Sequence, residues 1–293
     1  IEWFEKHGVE LKIEEDGRMF PVSNSSQTII DCFMDAASKA GIKTLTSQSV
    51  QSLFKADDFW KIDTQHDKFT ATKLVLSTGS NPKMWEMIAG LGHCIIEPVP
   101  SLFTFNITDK RIKELPGVST WATVKVKNTK LEATGPLLVT HWGMSGPAIL
   151  KLSAWGARIL AEKKYQFAIS VNWLNDMDLA EAENLLKKYK QEEAKKQISK
   201  RAPFDFPNRL WENLVLAAGI LVETKWADLS KMQMKNLAEQ LTEGTYQVSG
   251  KSTFKDEFVT AGGIDLKEVN FKTMQSKLHD TLYFAGEVVN VDA

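Results

Sequence analysis

The spacing of apolar residues predicts an α/β arrangement in the first third of the chain. In residues 25–40, Ile29, Ile30 and Phe33 recur at helical spacing, and Gly41 follows as a helix-ending glycine. Four β-like stretches come next, at residues 42–45, 49–54, 58–63 and 69–77. A helix followed by several strands is typical of half of an α/β domain.

The last of these stretches leads into a turn of small polar residues. Leu74–Leu76 is an uninterrupted apolar run, which predicts a strand covered on both faces. The run ends at Ser77, Thr78 and Gly79, whose small side chains would let a ligand approach the backbone closely. A helix predicted at residues 84–91 would present its amino end to a phosphate group. The alternative interpretation is a plain strand-to-helix loop.

The middle of the chain changes to short apolar stretches punctuated by proline. Residues 99–171 therefore predict a small antiparallel sheet or barrel. One helix interrupts this pattern, because Ser145 followed by Gly146 and Pro147 predicts an N-cap with proline in the first turn. We expect that helix to run to about Leu160.

Residues 178–243 have the periodicity of several amphipathic helices. Asp178 and Glu181 have the spacing of a capping box at the first of them. Ser230 and Gln233 repeat that spacing at the start of the last helix. We therefore expect a helical subdomain that interrupts the β-rich region.

Composition limits the function classes. The formal net charge is −1, so no global field recruits nucleic acid or membrane, and no run of about 18 apolar residues predicts a membrane span. The two cysteines, Cys32 and Cys94, lie far apart, which fits a reducing, cytoplasmic location. Four histidines show no ligand spacing with one another or with cysteine, so no metal site is expected; they are His7, His66, His93 and His279.

One stretch is locally basic. Residues 179–201 hold seven lysine and arginine residues against four glutamates. A nucleic-acid patch is one interpretation and a solvated helix face is the other. The interleaved glutamates and the lack of aromatic residues on the same face favour the solvated face. Nucleic acid is therefore not expected as a partner.

Three segments together indicate dinucleotide binding. They are the turn at residues 77–80, the strand that ends at Gly286 and Glu287, and the strand around Val50, whose backbone could pair with an adenine edge. No complete GxGxxG pattern exists, since Gly90 and Gly92 are followed by Ile95 where the third glycine would stand. A separate nicotinamide-binding domain is therefore not supported.

Two further clusters carry possible chemistry. His141 comes just before Gly143, Ser145 and Gly146, close to a predicted helix amino end that could face an anionic group. His141 could donate a proton or orient a substrate, or it could be a hydrogen-bonded loop residue. Residues 273–277 precede the terminal strand, and on sequence alone they would form a surface turn with a solvated Lys277.

With these residues in place, the chain resembles the BaiN-like (YhiN-like) family of FAD-dependent oxidoreductases, which includes aminoacetone-oxidase-like flavoproteins. The matching stretches follow the family's order along nearly the whole chain: residues 17–23, 74–79, 140–150, 260–264, 273–277 and 282–292. The resemblance implies a partial FAD domain of the glutathione-reductase type, in an α/β (overall α+β) chain, with an inserted β-barrel-like domain that carries a helical subdomain.

The resemblance also implies domain boundaries and site residues. The domains would be 1–98 for FAD, 99–172 for the β-barrel-like insertion, 173–245 for the helices, 246–262 for the return strand and 263–293 for FAD. The residues placed on the cofactor are Val50, Ser77, Thr78, Gly79, Gly262, Gly263, Gly286, Glu287 and Val288. Those placed near flavin and substrate are Arg18, Phe20, Pro21, His141, Gly143, Ser145, Gly146, Met274, Ser276 and Lys277. None of them is assigned a catalytic role.

The expected function is oxidation of a small organic molecule, an amine or aminoketone, by hydride transfer to FAD. Two rivals stay open. One is a flavin-dependent protein that modifies tRNA or associates with nucleic acid through its lysine-rich helices, and the other is a non-catalytic interaction module. The chain begins without Met and stops soon after Glu287, so we expect a piece of a larger flavoprotein that lacks the amino-terminal glycine-rich unit. Such a piece would bind FAD weakly or not at all and would be inactive by itself.

Overall fold

The computed structural model describes residues 1–14, 17–205, 207–252 and 259–292, and within them the fold is mixed α/β with eight α-helices. The chain divides into two compact units, residues 1–72 and 73–293. The predicted α/β class is confirmed at this level. Residues 253–258 of the predicted return strand and Ala293 of the predicted FAD segment lie outside the described residues.

The first unit joins a hairpin, a helix and a meander. Its elements are α1 (Glu2–Lys6), β1 (Leu11–Ile13), β2 (Met19–Pro21), α2 (Ser26–Lys39), β3 (Val50–Ala56), β4 (Phe59–Thr64) and β5 (Lys68–Ala71). β1 pairs antiparallel with β2, and β3, β4 and β5 form an antiparallel sheet in chain order. The predicted helix at 25–40 is confirmed, with Ser25 accepting from the Gln27 N–H. The predicted strand at 42–45 is wrong, because the chain runs there without any strand pairing among the described residues.

The second unit begins and ends in a four-stranded sheet of order β16-β17-β18-β6. The strands are β6 (Leu74–Leu76), β16 (Val269–Asn270), β17 (Gln275–Ser276) and β18 (Leu282–Phe284). β6 and β18 are parallel, and α3 (Pro82–Gly90) follows β6. The prediction that β6 is covered on both faces is wrong, since Val75 is 60% exposed on one of them. β7 (Ile95–Ser101) and β15 (Val259–Ile264) form an antiparallel pair.

A seven-stranded sheet forms the middle of this unit. Its order is β13-β12-β9-β10-β11-β8-β14. The strands are β8 (Thr104–Asn106), β9 (Ser119–Val126), β10 (Glu132–Val139), β11 (Gly143–Ser145), β12 (Phe167–Asn172), β13 (Gly244–Val248) and β14 (Gly250–Ser252). The two edge strands are separated in sequence only by Ser249, and the rings of Phe105 and Phe167, from distant strands, lie 5.1 Å apart. The sheet is therefore strongly curved.

The predicted barrel is thus only partly right. In the described part of the chain β13 and β14 do not pair with each other, so the hydrogen-bonded ladder does not close. One chain segment supplies both edges and bends at Ser249, whose N–H donates to the Asn106 carbonyl of β8. The bend replaces the strand pair that would close a barrel.

Helices cover the sheet and share its core. They are α4 (Pro147–Trp155), α5 (Ala157–Glu162), α6 (Leu179–Glu192), α7 (Asn208–Ala217) and α8 (Lys231–Thr242). Both predicted capping boxes, Asp178 with Glu181 and Ser230 with Gln233, are confirmed. One continuous cluster of buried residues includes side chains of the curved sheet and of α6, α7 and α8.

The predicted start of α4 is wrong. Ser145 is the last residue of β11, and Gly146 is the N-cap, with φ of +89°. A Cβ at Gly146 would lie 2.8 Å from the Pro136 carbonyl oxygen, so the turn into the helix needs glycine. The predicted single helix to Leu160 is also broken at Gly156 into α4 and α5.

Candidate functional site

The carboxyl ends of two parallel strands meet at one sheet edge. Leu76 of β6 lies opposite Phe284 of β18, and the Ala285 N–H donates to the Leu76 carbonyl at 2.9 Å. The turn that begins at Ser77 and the turn that begins at Gly286 therefore leave the same edge, which we call the parallel-strand edge. The carboxyl ends of parallel strands are where α/β sheets bind their ligands.

Two glycines at this edge face open space. Gly79 has φ of +58° and Gly286 has φ of +74°, and no protein atom lies within 4 Å of the Cβ that either would carry. Thr78 and Glu287 beside them are exposed. Both turns thus leave their backbone accessible at this edge.

The start of α3 supports the same edge. The Asn81 side chain accepts from the Met84 N–H at 3.2 Å, and Pro82 follows in the first turn. This is a favourable start for a helix, because the cap satisfies one of the free amide groups. The predicted helix at 84–91 therefore begins two residues earlier than expected, at Pro82.

Three predicted cofactor residues lie behind the edge rather than on it. Val288 is buried, and its carbonyl accepts from the Trp85 indole N–H at 2.9 Å. A Cβ at Gly262 would lie 2.5 Å from Pro98 Cα, and one at Gly263 would lie 2.6 Å from the Val288 oxygen. These two glycines are required by close packing of backbone on backbone.

The segment at 274–277 is split between two ends of the sheet. Met274 has φ of +58°, and its carbonyl accepts from the Phe284 N–H at 2.9 Å, which puts it beside the parallel-strand edge. Ser276 is buried farther along β17. The exposed Lys277 donates from Nζ to the Lys267 carbonyl at 2.7 Å. Of these three predicted residues, the structure brings Met274 alone to the edge.

Ser276 belongs to a buried network that the sequence did not reveal. His93 Nδ1 lies 2.8 Å from Glu268 Oε2, and His93 Nε2 lies 3.0 Å from Ser276 Oγ. Ser276 Oγ also accepts from the N–H groups of Leu278 and His279. The chain of carboxylate, imidazole and hydroxyl resembles a nucleophilic triad. However, the Ser276 hydroxyl is buried and already accepts two hydrogen bonds, so its role is structural. The three residues are far apart in sequence and share no motif that could have linked them.

The loop around His141 is the tip of the β10–β11 hairpin. His141 is exposed, and Trp142 beside it is 59% exposed. Thr140 Oγ1 accepts from the N–H of Gly143, and a Cβ at Gly143 would lie 2.2 Å from the Phe105 oxygen. Gly143 and Gly146 are thus needed for packing within the sheet. Ser145, at the hairpin base, accepts from the Thr104 hydroxyl at 3.0 Å.

The remaining predicted residues belong to the first unit. Phe20 and Pro21 lie on β2, and Val50 opens β3. The Arg18 guanidinium lies 5.6 Å from the Phe20 ring centroid and 3.5 Å from Glu14. Pro21 is buried, while Phe20 is 38% exposed.

The described residues show neither a metal cluster nor a membrane-spanning helix. No three His, Cys, Asp or Glu side chains gather there in a way that could hold a metal ion. None of the helices there is long and apolar enough to cross a membrane.

The curved sheet and its helices correspond to a known protein family. Residues 99–259, which hold the curved sheet and the helices, match the family described as "HI0933-like protein barrel and H2TH domain". The chain belongs to the HI0933-like protein family. Together with its relatives, this places it among FAD-dependent oxidoreductase-like proteins in the broad sense.

Relatives of this HI0933-like chain carry enzyme names. Over 99% of the chain and 72% of the relative, it is 26% identical to the ribosomal RNA dihydrouridine synthase of Escherichia coli. The protein of the same name from Haemophilus influenzae is 26% identical over 98% of the chain and 72% of its own length. The 3-dehydro-bile acid delta(4,6)-reductase of Clostridium scindens is 22% identical over 100% of the chain and 74% of its own length.

These relatives overturn two predictions. Oxidation of a small amine or aminoketone is wrong as the main interpretation, because the two relatives at 26% identity are named for RNA modification. The exclusion of nucleic acid as a partner is wrong for the same reason. That exclusion rested on the formal net charge of −1 and on the interleaved glutamates, which say little about where unpaired cations gather.

Proposed function

We propose that this HI0933-like protein is a flavin-dependent reductase that adds hydrogen to a uracil base in RNA. The observation that carries the proposal is the 26% identity to the Escherichia coli ribosomal RNA dihydrouridine synthase over 99% of the chain. Dihydrouridine differs from uridine by two hydrogen atoms on one carbon–carbon double bond. The reaction is therefore a reduction of the base.

The parallel-strand edge fits the FAD that such a reaction needs. Gly79 and Gly286 leave open space where a Cβ would stand, and Thr78 and Glu287 are exposed beside them. We propose that these four residues line the cofactor, since bare backbone at the carboxyl ends of parallel strands can approach a pyrophosphate closely. The predicted domain boundaries, the BaiN-like placement and the predicted role of Val50 in cofactor binding remain proposals.

When bound, a reduced flavin supplies the hydride, and the protein supplies orientation and a proton. His141 is the side chain we propose for the proton, because its exposed imidazole lies at a hairpin tip. The neighbouring Trp142, 59% exposed, offers a face on which a base could stack. Three other predicted flavin-proximal residues, Gly143, Ser145 and Gly146, shape that hairpin.

A second candidate substrate is a steroid ketone with conjugated double bonds. It is favoured by the bile acid reductase relative, which is similar over 100% of the chain. Both candidate substrates contain an electron-poor carbon–carbon double bond that can accept a hydride. The two candidate functions therefore share the reaction and differ in the substrate.

An anaerobic titration distinguishes the two substrates. The full-length protein is reconstituted with FAD, reduced, and mixed with an unmodified ribosomal RNA transcript or with a 3-oxo-4,6-diene steroid. The proposal predicts that the oxidised flavin absorbance returns with the RNA and not with the steroid. Return with the steroid alone would assign the second candidate, and return with neither would refute both.

A further inference from the structure

A basic groove lies between the end of α6 and the start of α7. It is a cavity of about 540 Å³ that is lined by three cations, Lys196, Lys200 and Arg201, and by two carboxylates, Glu193 and Asp205. Tyr189, Phe204 and Trp226 supply aromatic rings to the lining. We call it the basic groove. It belongs to the second unit, and neither the parallel-strand edge nor the His141 hairpin contributes to its lining.

The backbone beneath the groove is fixed. The Trp226 N–H donates to the Lys196 carbonyl and the Ile198 N–H donates to the Thr224 carbonyl, both at 3.0 Å. The buried Trp211 indole donates to the Ile198 carbonyl at 2.7 Å. The segment that carries the basic residues is thus held from two sides. Its charged side chains are presented from a rigid base, which lowers the entropy cost of binding.

The three cations that line the groove outnumber the two carboxylates in its lining. Four basic residues lie between Glu193 and Asp205, which are the two acidic residues of the lining. Lys196 pairs with Glu193 at 2.5 Å. Lys200 and Arg201 have no carboxylate within ion-pair distance in the described part of the chain. By contrast, Lys187 and Lys188 on the outer face of α6 pair with Glu183 at 3.4 Å and Glu192 at 3.8 Å.

Aromatic side chains accompany the unpaired cations. The half-buried Tyr189 stacks on Trp226, with ring centroids 6.1 Å apart, and donates its hydroxyl to the Pro203 carbonyl. Phe204 is half-buried and packs edge-on against Trp211. Trp226 is only 3% exposed, so the partly exposed rings of Tyr189 and Phe204 are the aromatic surfaces that a base could contact. Cations beside aromatic surfaces are the combination that binds single-stranded nucleic acid. An acidic peptide would use only the charges.

From these observations we propose that the basic groove binds the backbone of single-stranded RNA. The inference rests on the proposed function, which supplies RNA as the partner. It assigns the contact to Lys200 and Arg201 rather than to the ion-paired lysines of α6.

The test is RNA binding by the full-length protein without flavin or reductant. The probe is a fluorescein-labelled oligouridine, and binding is followed by fluorescence anisotropy over a range of salt concentrations. The variant is Lys200→Ala with Arg201→Ala. The matched control is Lys187→Ala with Lys188→Ala, which removes the same charge from the neighbouring helix. A third variant, Lys200→Arg with Arg201→Lys, keeps the charge.

The groove variant should bind about ten-fold more weakly or worse, and its slope of log affinity against log salt should fall by about 1.4 for two lost phosphate contacts. The control and the charge-conserving variant should have the RNA affinity and the salt dependence of the natural protein. Equal weakening of both double-alanine variants would overturn the assignment, and so would an oligoglutamate peptide that competes as well as RNA. This assay measures RNA binding and not turnover. A protein that fails to reduce uracil would therefore still give an interpretable binding result.

Discussion

At the scale of single residues, the glycines of the second unit differ in what surrounds them. A Cβ at Gly262 or Gly143 would collide with backbone atoms, whereas Gly79 and Gly286 have open space at positive φ. The sequence named all four as site residues, since a motif does not show whether a glycine faces protein or solvent. We therefore propose the cofactor role only for the two that face open space.

Gly286→Ala should weaken FAD binding in the full-length protein by about ten-fold or more, because the added methyl group would enter the space left for the cofactor. The matched control is Gly219→Ala, since Gly219 has φ of +76° against +74° and equally open surroundings. Both changes should cost about 1–2 kcal/mol of stability through backbone strain. Flavin fluorescence titration gives the affinities, and equal FAD affinity in the two variants would contradict the assignment.

Ser276→Ala should lower the free energy of unfolding by about 2 kcal/mol, because His93 Nε2 would be left buried without its partner. Ser119→Ala is the control, since Ser119 is exposed on β9 and should change stability by less than about 0.5 kcal/mol. Urea denaturation measures both. Similar small losses in the two variants would show that the buried network contributes nothing.

At the scale of elements, the sequence predicted best where local chemistry decides the outcome. Both capping boxes and α2 were right, since a cap and an apolar face act within a few residues. The start of α4 was wrong because Gly146 is set by the neighbouring strand, whose Pro136 carbonyl lies too close for a side chain. Strand pairing and the curvature of the sheet depend on contacts across the sequence, which no local pattern contains.

One ionic cluster ties separate elements together. The Arg111 guanidinium donates to Asp109, to Gln240 of α8 and to the Thr245 carbonyl of β13, and lies 3.8 Å from the Tyr246 ring centroid. Burial pushes the pKa of the Asp109 carboxyl up, but the hydrogen bonds and charge of Arg111 outweigh it and leave that pKa below 3.8. Burial raises the pKa of Tyr246 to about 12, so its ring stays neutral under Arg111.

This cluster predicts a pH dependence. Because the pKa of Asp109 is lower in the folded chain than in the unfolded one, its stabilisation is present above about pH 4 and is lost as the pH falls further. Asp109→Asn should cost about 2 kcal/mol at neutral pH and should lose less additional stability on acidification. The control is Glu132→Gln, in an exposed ion pair with Lys125. It should change neither the stability at neutral pH nor the loss of stability on acidification. Parallel pH profiles for the natural chain and Asp109→Asn would contradict this account.

At the scale of the whole molecule, the distribution of charge says more about nucleic-acid binding than the net charge does. From the formal net charge of −1 we expected no nucleic-acid partner. Among the residues that the structure describes, however, Lys187 and Lys188 on α6 form ion pairs, whereas Lys200 and Arg201 at the basic groove do not. The sequence named the basic stretch correctly and could not show which cations have partners. Pairing depends on side-chain positions that only the folded chain defines.

The proposed function is reduction of uracil in RNA by the reduced form of FAD. The most direct measurement is mass spectrometry of nucleosides from an unmodified ribosomal RNA transcript after incubation with the full-length protein, FAD and a reductant. We expect dihydrouridine, heavier than uridine by two hydrogen atoms, at a defined position and only when protein, cofactor and reductant are all present. Unchanged uridine throughout, with the protein folded and FAD bound, would contradict it.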